Sequence, residues 1–155
     1  MKKNFYFFSV ILITSVILDI FTKFLVRKNL DLNESLPLIK NILHITKIHN
    51  TGAVWGILQN NNIFFIITSI IILSILTYYF KDLAKSNASV FFIALIFSGA
   101  IGNLIDRIFF GFVIDFIDFR IWPVFNIADS ALIIGIIGII FLNLTNKDDK
   151  NKQKR

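Results

Sequence analysis

Residues 98–130 read SGAIGNLIDRIFFGFVIDFIDFRIWPVFNIADS and lie between two strongly apolar runs. The stretch contains Asp106, Asp115, Asp118 and Asp129, which are four of the ten acidic residues in the chain. Charged groups at the edge of a hydrocarbon layer are costly, and where they occur they usually serve a function. This concentration of carboxylates therefore predicts a functional site, which the rest of the chain holds in place.

The composition indicates an integral membrane protein. The 155 residues are 55% hydrophobic and 17% charged, whereas a soluble domain carries about 25% charged residues. The sequence has no cysteine, which excludes disulfides, thiolate nucleophiles and thiolate metal sites. The formal net charge is +6, but the basic residues cluster at the ends of apolar runs. That placement favours phospholipid headgroups over nucleic acid as their partners.

We predict an all-α membrane protein that forms one integral membrane domain over residues 1–155. The four transmembrane helices are expected at about 5–26, 63–80, 90–108 and 128–145, because each run is apolar and about long enough to cross a bilayer. The connecting segments are expected to be extracytoplasmic at 27–62 and 109–127, and cytoplasmic at 81–89 and 146–155. The charged tail should be disordered, and β-branched residues at 42–48 predict a short strand.

The basic residues predict the orientation of these spans. One side of the membrane collects Lys2, Lys3, Lys81, Lys85, Lys147, Lys150, Lys152, Lys154 and Arg155. The other side has Arg27, Lys28, Lys40, Lys47, Arg107 and Arg120. The positive-inside rule then puts both termini in the cytoplasm. Polar residues from the outer ends of the first, third and fourth spans and from the connecting segments can therefore converge on the extracytoplasmic side: Asp19, Asn50, Asn103, Asp106, Asp115, Asn126 and Asp129.

Several of these residues can also be explained by a purely structural role. Asp19 and Lys23 are four apart on one helix face and could be a self-neutralising pair. Asp106 and Arg107 could be interfacial anchors, and Trp55 and Trp122 are typical of interface aromatics. Asn126 and Asp129 have the spacing of a capping box at the start of the fourth span. Gly99 and Gly102 predict a close helix approach or a kink.

If the site is catalytic, aspartates must transfer the protons. There is no thiol, and His44 and His49 lie outside the acidic stretch without partners at metal-ligand spacing, so we expect neither metal nor cofactor. Two close carboxylates share a proton, and such a pair can hydrolyse a peptide bond with water.

Asp115 and Asp129 are the favoured pair. Asp118 shares a strand face with Arg120 and so has a partner, whereas Asp115 shares its face with apolar residues. Burial should favour the protonated form of Asp115, and the helix N-terminus should favour the anion at Asp129. Two other classes of function are a proton-coupled transporter or channel and a non-catalytic scaffold. A transporter predicts acids spread through the membrane depth and an inverted repeat, and neither is evident.

Five motifs in this order resemble the bacterial lipoprotein signal peptidase family, also called signal peptidase II. They are DIFTK at 19–23, NTGAVWG at 50–56, SGAIGNLIDR at 98–107, FVIDF at 112–116 and FNIADS at 125–130. The resemblance implies a four-helix aspartyl protease of the bacterial cytoplasmic membrane, with a small β-rich cradle and its active site on the extracytoplasmic side. One departure is Val54, where the family usually has alanine.

The resemblance also implies roles for individual residues. The family's catalytic dyad falls on Asp115 and Asp129. Positions that shape the pocket, bind substrate or support the dyad fall on Asp19, Lys23, Asn50, Gly52, Asn103, Asp106, Arg107, Asn126 and Ala128. The implied substrate is a prolipoprotein whose cysteine carries a diacylglyceryl group, cleaved just before that cysteine. The implied inhibitors are peptides of the globomycin type.

Overall fold

The computed structural model describes residues 2–52 and 58–152 of the chain. The elements in chain order are α1 (Lys2–Asn29), β1 (Ser35–Ile39), β2 (Leu43–Asn50), α2 (Asn62–Tyr78), α3 (Phe80–Leu83), α4 (Asn87–Phe110), β3 (Val113–Asp118) and α5 (Ile127–Lys152). These described residues are therefore mostly helical, with one small sheet. Val54 and Trp55 lie outside the described residues.

Three helices in the described part of the chain are long and apolar enough to cross a membrane. They occupy Asn4–Asn29, Asn87–Phe110 and Ile127–Thr145, which are the positions expected for the first, third and fourth spans. α2, at the position of the expected second span, is apolar but has only 17 residues. At 1.5 Å per residue α2 is about 26 Å long, slightly shorter than a hydrocarbon layer of about 30 Å.

The expectation of a disordered tail was wrong over most of its length. α5 continues without a break past the apolar run to Lys152. No glycine or proline follows Gly138 to end the helix. Lysine is a good helix former, and asparagine and aspartate cost at most about 0.7 kcal/mol per residue, far less than proline. The loop expected at 81–89 is also partly helical, because α3 occupies its first residues and α4 begins at Asn87.

α4 is the central helix, and it packs against α5, α1 and α2. It begins at a capping box formed by Ser86 and Ser89 and ends at Gly111, whose φ of 81° suits glycine. The close approach predicted for the glycines is confirmed. A Cβ on Gly102 would lie 2.6 Å from Asp19 Oδ2, and a Cβ on Gly99 would overlap the main chain of α5 at Ala128. At these two positions α1 and α5 approach α4 closely because α4 carries no side chain there.

The three strands form one antiparallel sheet in the order β1-β2-β3. β2 confirms the strand predicted at 42–48. Ile48 pairs with Asp115, and a bulge separates this pair from that of Ile45 with Ile117. The apolar side of the sheet packs on α1 through a cluster that contains Val26, Ile114 and Phe116.

Phe125 pairs with the free edge of β3. The main-chain nitrogen of Phe125 donates to Ile117 O at 3.1 Å, and the nitrogen of Ile117 donates to Phe125 O at 2.7 Å. This bridge returns the chain to β3 immediately before α5 begins. It therefore brings the first residues of α5 beside the middle of β3, where Asp115 lies.

Candidate active site

Asp115 lies in the middle of β3, and only 2% of its surface is exposed. Its Oδ2 accepts a hydrogen bond from Asn50 Nδ2 at 2.8 Å, and its Oδ1 accepts one from Asn126 Nδ2 at 2.7 Å. Burial raises the pKa of Asp115 from 3.8 to about 7, and the nearby charge of Asp129 adds to this rise against the two amide bonds. The protonated form of this carboxyl group is therefore favoured below about pH 7, which is the direction expected from burial among apolar residues.

Asp129 lies in the first turn of α5 and is half-buried. Its Oδ1 accepts a hydrogen bond from Asn103 Nδ2 at 2.7 Å, and its Oδ2 accepts one from the main-chain nitrogen of Asn126 at 3.2 Å. The nitrogen of Asp129 in turn donates to Asn126 Oδ1 at 2.8 Å. The capping box is therefore present. It fixes Asp129 at a helix N-terminus, where a negative charge is stabilised.

Asn126 connects the two aspartates and is completely buried. Its side-chain nitrogen bonds to Asp115, while its main-chain nitrogen bonds to Asp129. A single residue, Asn126, therefore bridges the two carboxylates through hydrogen bonds. The same side-chain nitrogen also lies 3.1 Å from Asn103 Oδ1, which extends the network towards α4.

A buried cluster around Lys23 lies behind these asparagines. Lys23 Nζ is 2.7 Å from Asp19 Oδ2, 3.0 Å from Asp106 Oδ2 and 3.2 Å from Asn103 Oδ1. Asp19 Oδ1 accepts from the nitrogen of Ala128 at 2.9 Å, and Asp106 Oδ2 accepts from the nitrogen of Ile114 at 3.0 Å. The cluster joins α1 to α4, to β3 and to the N-terminus of α5.

These contacts decide between the alternatives left open by the spacing. Asp19 and Lys23 do form a pair, but they are buried and also contact two further elements. Asp106 is 3% exposed and is bonded inside the protein, so it is not an interfacial anchor. The partners of Asp106 could not be identified from spacing, because the residues it contacts lie on α1 and β3.

Arg107 points to a different region, as expected of a helical neighbour of Asp106. Its guanidinium lies 4.8 Å from the ring centroid of Phe65 and 3.5 Å from Gly52 O. The nitrogen of Gly52 donates to Asn50 Oδ1 at 2.9 Å. Arg107 on α4 thus contacts the chain just after β2, at Gly52, close to Asn50, which contacts Asp115.

A cavity of about 870 Å³ opens beside both aspartates. Its polar wall includes Asp115, Asp129, Arg107 and Asn50, and much of the remaining wall is apolar, including Phe65, Trp122, Leu132 and Ile133. Trp122 is more than half exposed at the rim. The cavity, which Arg120 also lines, therefore offers two carboxylates, two guanidinium groups and an extended apolar surface to a bound molecule.

Asp118 and His44 are not part of the cavity wall, whereas His49 lines it beside Asn50. Burial acts to raise the pKa of Asp118, but hydrogen bonds from Thr46 Oγ1 and from the nitrogen of Arg120, together with the charge of Arg120, lower it below its usual value. His44 contacts Arg120 through Nδ1 at 2.8 Å, and His49 stacks on Phe112 with ring centroids 3.8 Å apart. These are structural contacts of the sheet.

Comparison with known proteins identifies the family of this chain. The family described as signal peptidase (SPase) II matches residues 11–145. The chain belongs to the signal peptidase II family. The lipoprotein signal peptidase of Halothermothrix orenii is 42% identical over 126 residues, which cover 81% of this chain and 87% of that protein. That of Halalkalibacterium halodurans is 40% identical over 151 residues, covering 94% and 96%.

Solved structures of bacterial membrane enzymes share the fold. One, determined by the in meso method at 2.3 Å resolution, is 42% identical in sequence and has a TM-score of 0.86. The match covers 92% of this chain and 90% of the chain in that structure. Another, at 1.9 Å resolution, is 41% identical with a TM-score of 0.78 and covers 88% and 92%. The resemblance based on the five motifs is confirmed. As a member of the signal peptidase II family, the chain is a membrane protein and an aspartic endopeptidase.

Proposed function

We propose that this chain removes the signal peptide from prolipoproteins whose cysteine carries a diacylglyceryl group, cleaving just before that cysteine. Asp115 and Asp129 activate the attacking water. The observation that carries this proposal is that both carboxylates border one cavity and both hydrogen-bond to Asn126. No metal or cofactor takes part in the proposed mechanism.

The two aspartates begin the reaction in opposite protonation states. Asp129, ionised at the helix N-terminus, takes a proton from water as the water oxygen attacks the scissile carbonyl carbon. Asp115, protonated in its buried position, donates its proton to the carbonyl oxygen. Collapse of the tetrahedral intermediate returns a proton to Asp115, while Asp129 passes the proton of the water to the departing amide nitrogen. The C–N bond breaks, and both carboxyl groups regain their starting states.

The surrounding residues orient this pair. Asn50 and Asn126 hold the carboxyl group of Asp115, and Asn103 and Asn126 hold that of Asp129. Asp19, Lys23, Asp106 and Ala128 fix the elements that carry the asparagines. Arg107 and Gly52 shape the cavity wall and bind the peptide. Such preorganisation matters because small displacements of reacting groups slow a reaction strongly.

The lipid on the substrate explains why the enzyme lies in a membrane. The acyl chains of the diacylglyceryl group stay in the bilayer while the scissile bond reaches the aspartates at its surface. Each CH₂ group that remains in hydrocarbon contributes about 0.8 kcal/mol, so the anchor supplies much of the binding. Globomycin-type peptides inhibit by occupying the same cavity.

In the proposed topology α1, α2, α4 and α5 span the bacterial cytoplasmic membrane as a single domain. Both termini are cytoplasmic, and the sheet and the aspartates are extracytoplasmic. Single cysteines introduced as Lys40→Cys and Lys85→Cys test this topology, because the chain has no other cysteine. An impermeant maleimide added outside intact cells should label position 40 and not position 85. The reverse pattern would overturn the topology.

The substrate class is tested with the purified protein in lipid vesicles. A prolipoprotein precursor with the diacylglyceryl-modified cysteine is compared with the same precursor without the modification. We expect rapid cleavage of the modified precursor, just before the cysteine, and little cleavage of the other. Equal rates for the two precursors, or cleavage at another bond, would contradict the proposed substrate.

A further inference from the structure

A second depression lies between α1 and α4 and shares no lining residue with the cavity beside the aspartates. Its volume is about 350 Å³. Its walls are apolar and include Ile17, Ile20, Phe21, Phe24, Ile105 and Phe110. Lys23 and Asp106 also line it, where they form an ion pair at 3.0 Å. We call this depression the α1–α4 groove.

The length of the α1–α4 groove matches one leaflet of a bilayer. Its lining runs along α1 from Ile17 to Arg27, which is about 15 Å at 1.5 Å per residue. The hydrocarbon core of a bilayer is about 30 Å thick, so one leaflet contributes about half of that. An acyl chain lying in the groove would therefore reach from the headgroup region, at Arg27, to the middle of the bilayer.

Arg27 is placed to bind the headgroup of such a lipid. Its guanidinium lies 4.6 Å from the ring centroid of Phe110, which fixes it over the end of the groove. Among the described residues the guanidinium makes no hydrogen bond or ion pair. The one hydrogen bond recorded for Arg27 outside the helix ladder is accepted by its main-chain oxygen, from Lys47 Nζ. Its five N–H donors are thus available, and their planar fork matches the oxygens of a phosphate. Lys28 lies in the same turn but is not part of the groove lining.

We propose that the α1–α4 groove is a binding site for one anionic phospholipid of the leaflet that borders Arg27. The acyl chain packs on the apolar wall, and the phosphate accepts hydrogen bonds from the Arg27 guanidinium. The net negative charge of the lipid complements the uncompensated cation at the end of the groove. The site uses neither Asp115 nor Asp129, so the proposal does not depend on the proposed catalytic mechanism.

The test uses the full chain reconstituted in phosphatidylcholine vesicles with a trace of lipid spin-labelled on the acyl chain. Electron paramagnetic resonance then gives the fraction of label held immobile by the protein. Labelled phosphatidylglycerol should associate about fivefold more strongly than labelled phosphatidylcholine, as expected from about 1 kcal/mol per basic residue near an anionic headgroup. Equal association of the two lipids with the parent protein would overturn the proposal.

Three variants localise the effect. Arg27→Gln should bring the preference for phosphatidylglycerol close to one, whereas Lys40→Gln, which removes the same charge from the exposed turn between β1 and β2, should leave it unchanged. Ile20→Trp fills the groove and should reduce the immobile fraction of phosphatidylglycerol. Arg27 and Ile20 are exposed, so these variants should fold. A preference that survives Arg27→Gln or Ile20→Trp, or that falls equally in Lys40→Gln, would overturn the site.

Discussion

The side-chain nitrogen of Asn126 lies 2.7 Å from Oδ1 of Asp115. Asn126 is also the N-terminal cap of α5, and through its main-chain nitrogen it bonds to Asp129. One asparagine thus ends the loop after β3, begins the last helix and holds both carboxylates. The distance between the aspartates is set locally, by a residue that belongs to the same turn as one of them.

Replacing Asn126 should therefore disturb stability and activity together. Asn126→Ala removes a helix cap, worth about 1 kcal/mol, and leaves Asp115 short of one donor, at a cost of about 1–3 kcal/mol. We expect a lower Tm in detergent and a cleavage rate reduced at least about tenfold, since each 1.36 kcal/mol of barrier is a factor of ten. Asn29→Ala, at an exposed helix end, is the control. An unchanged cleavage rate in Asn126→Ala would show that the link between the aspartates is dispensable.

The raised pKa of Asp115 predicts how stability depends on pH. Between its ordinary pKa of 3.8 and about 7, the folded protein binds more protons at this site than the unfolded chain. The contribution of Asp115 to the free energy of unfolding is therefore fully present below about pH 4 and is lost as the pH rises towards 7. In Asp115→Asn this loss disappears, so the Tm of the variant should rise relative to the parent between pH 4 and pH 8. Parallel Tm curves would mean that Asp115 titrates normally.

Lys23 should be essential for folding rather than only for catalysis. Lys23→Met leaves the carboxylates of Asp19 and Asp106 buried without a cation, and breaking a buried pair in this way costs about 3–5 kcal/mol. We expect a large fall in Tm, partly recovered in Lys23→Met with Asp19→Asn, where one negative charge is removed as well. Lys40→Met, at an exposed turn, is the matched control. Thermal unfolding of all four proteins in one detergent gives the comparison, and a parental Tm for Lys23→Met would contradict it.

Gly102 should tolerate no side chain. In Gly102→Ala the new Cβ would lie 2.6 Å from Asp19 Oδ2, which forces α1 away from α4 or moves Asp19 from Lys23. Overpacking of this kind costs about 1–3 kcal/mol, so Tm should fall. Gly111→Ala is the control, because nothing lies within 4 Å of a Cβ added there. Its only expected destabilisation comes from placing alanine in a left-handed backbone conformation. A smaller loss of Tm in Gly102→Ala than in Gly111→Ala would count against the tight α1–α4 contact.

The features of this fold that could be predicted are those indicated by residues within a single segment of the chain. Four apolar runs predicted helices, three of which are long enough to cross a membrane. The glycines of α4 predicted close packing, and the spacing of Asn126 and Asp129 predicted a helix cap. Each of these signals depends on residues that are neighbours in the chain, where helix and turn geometry fixes the distances.

The partners across the structure could not be predicted in the same way. Lys23 and Asn103 are 80 residues apart, and Asn50 and Asp115 are 65 apart. Periodicity shows which face of a helix or strand is polar, but it does not show which polar group of another element meets it. The pairing of Phe125 with β3, which decides that Asp115 meets Asn126, depends on main-chain hydrogen bonds that any residue type except proline could make.

The central claim is that Asp115 and Asp129 together perform the hydrolysis, and it is tested most directly by single-residue kinetics. Cleavage of a diacylglyceryl-modified precursor is measured for the parent, Asp115→Asn, Asp129→Asn and Asp118→Asn, with Tm recorded for each. General acid–base catalysis contributes about 10²–10⁴-fold, so Asp115→Asn and Asp129→Asn should each lose at least about 10²-fold while remaining folded. Asp118→Asn, which alters a carboxyl group of the same strand, should stay within a few-fold of the parent. A folded Asp115→Asn or Asp129→Asn variant that cleaves at the parental rate would contradict the account.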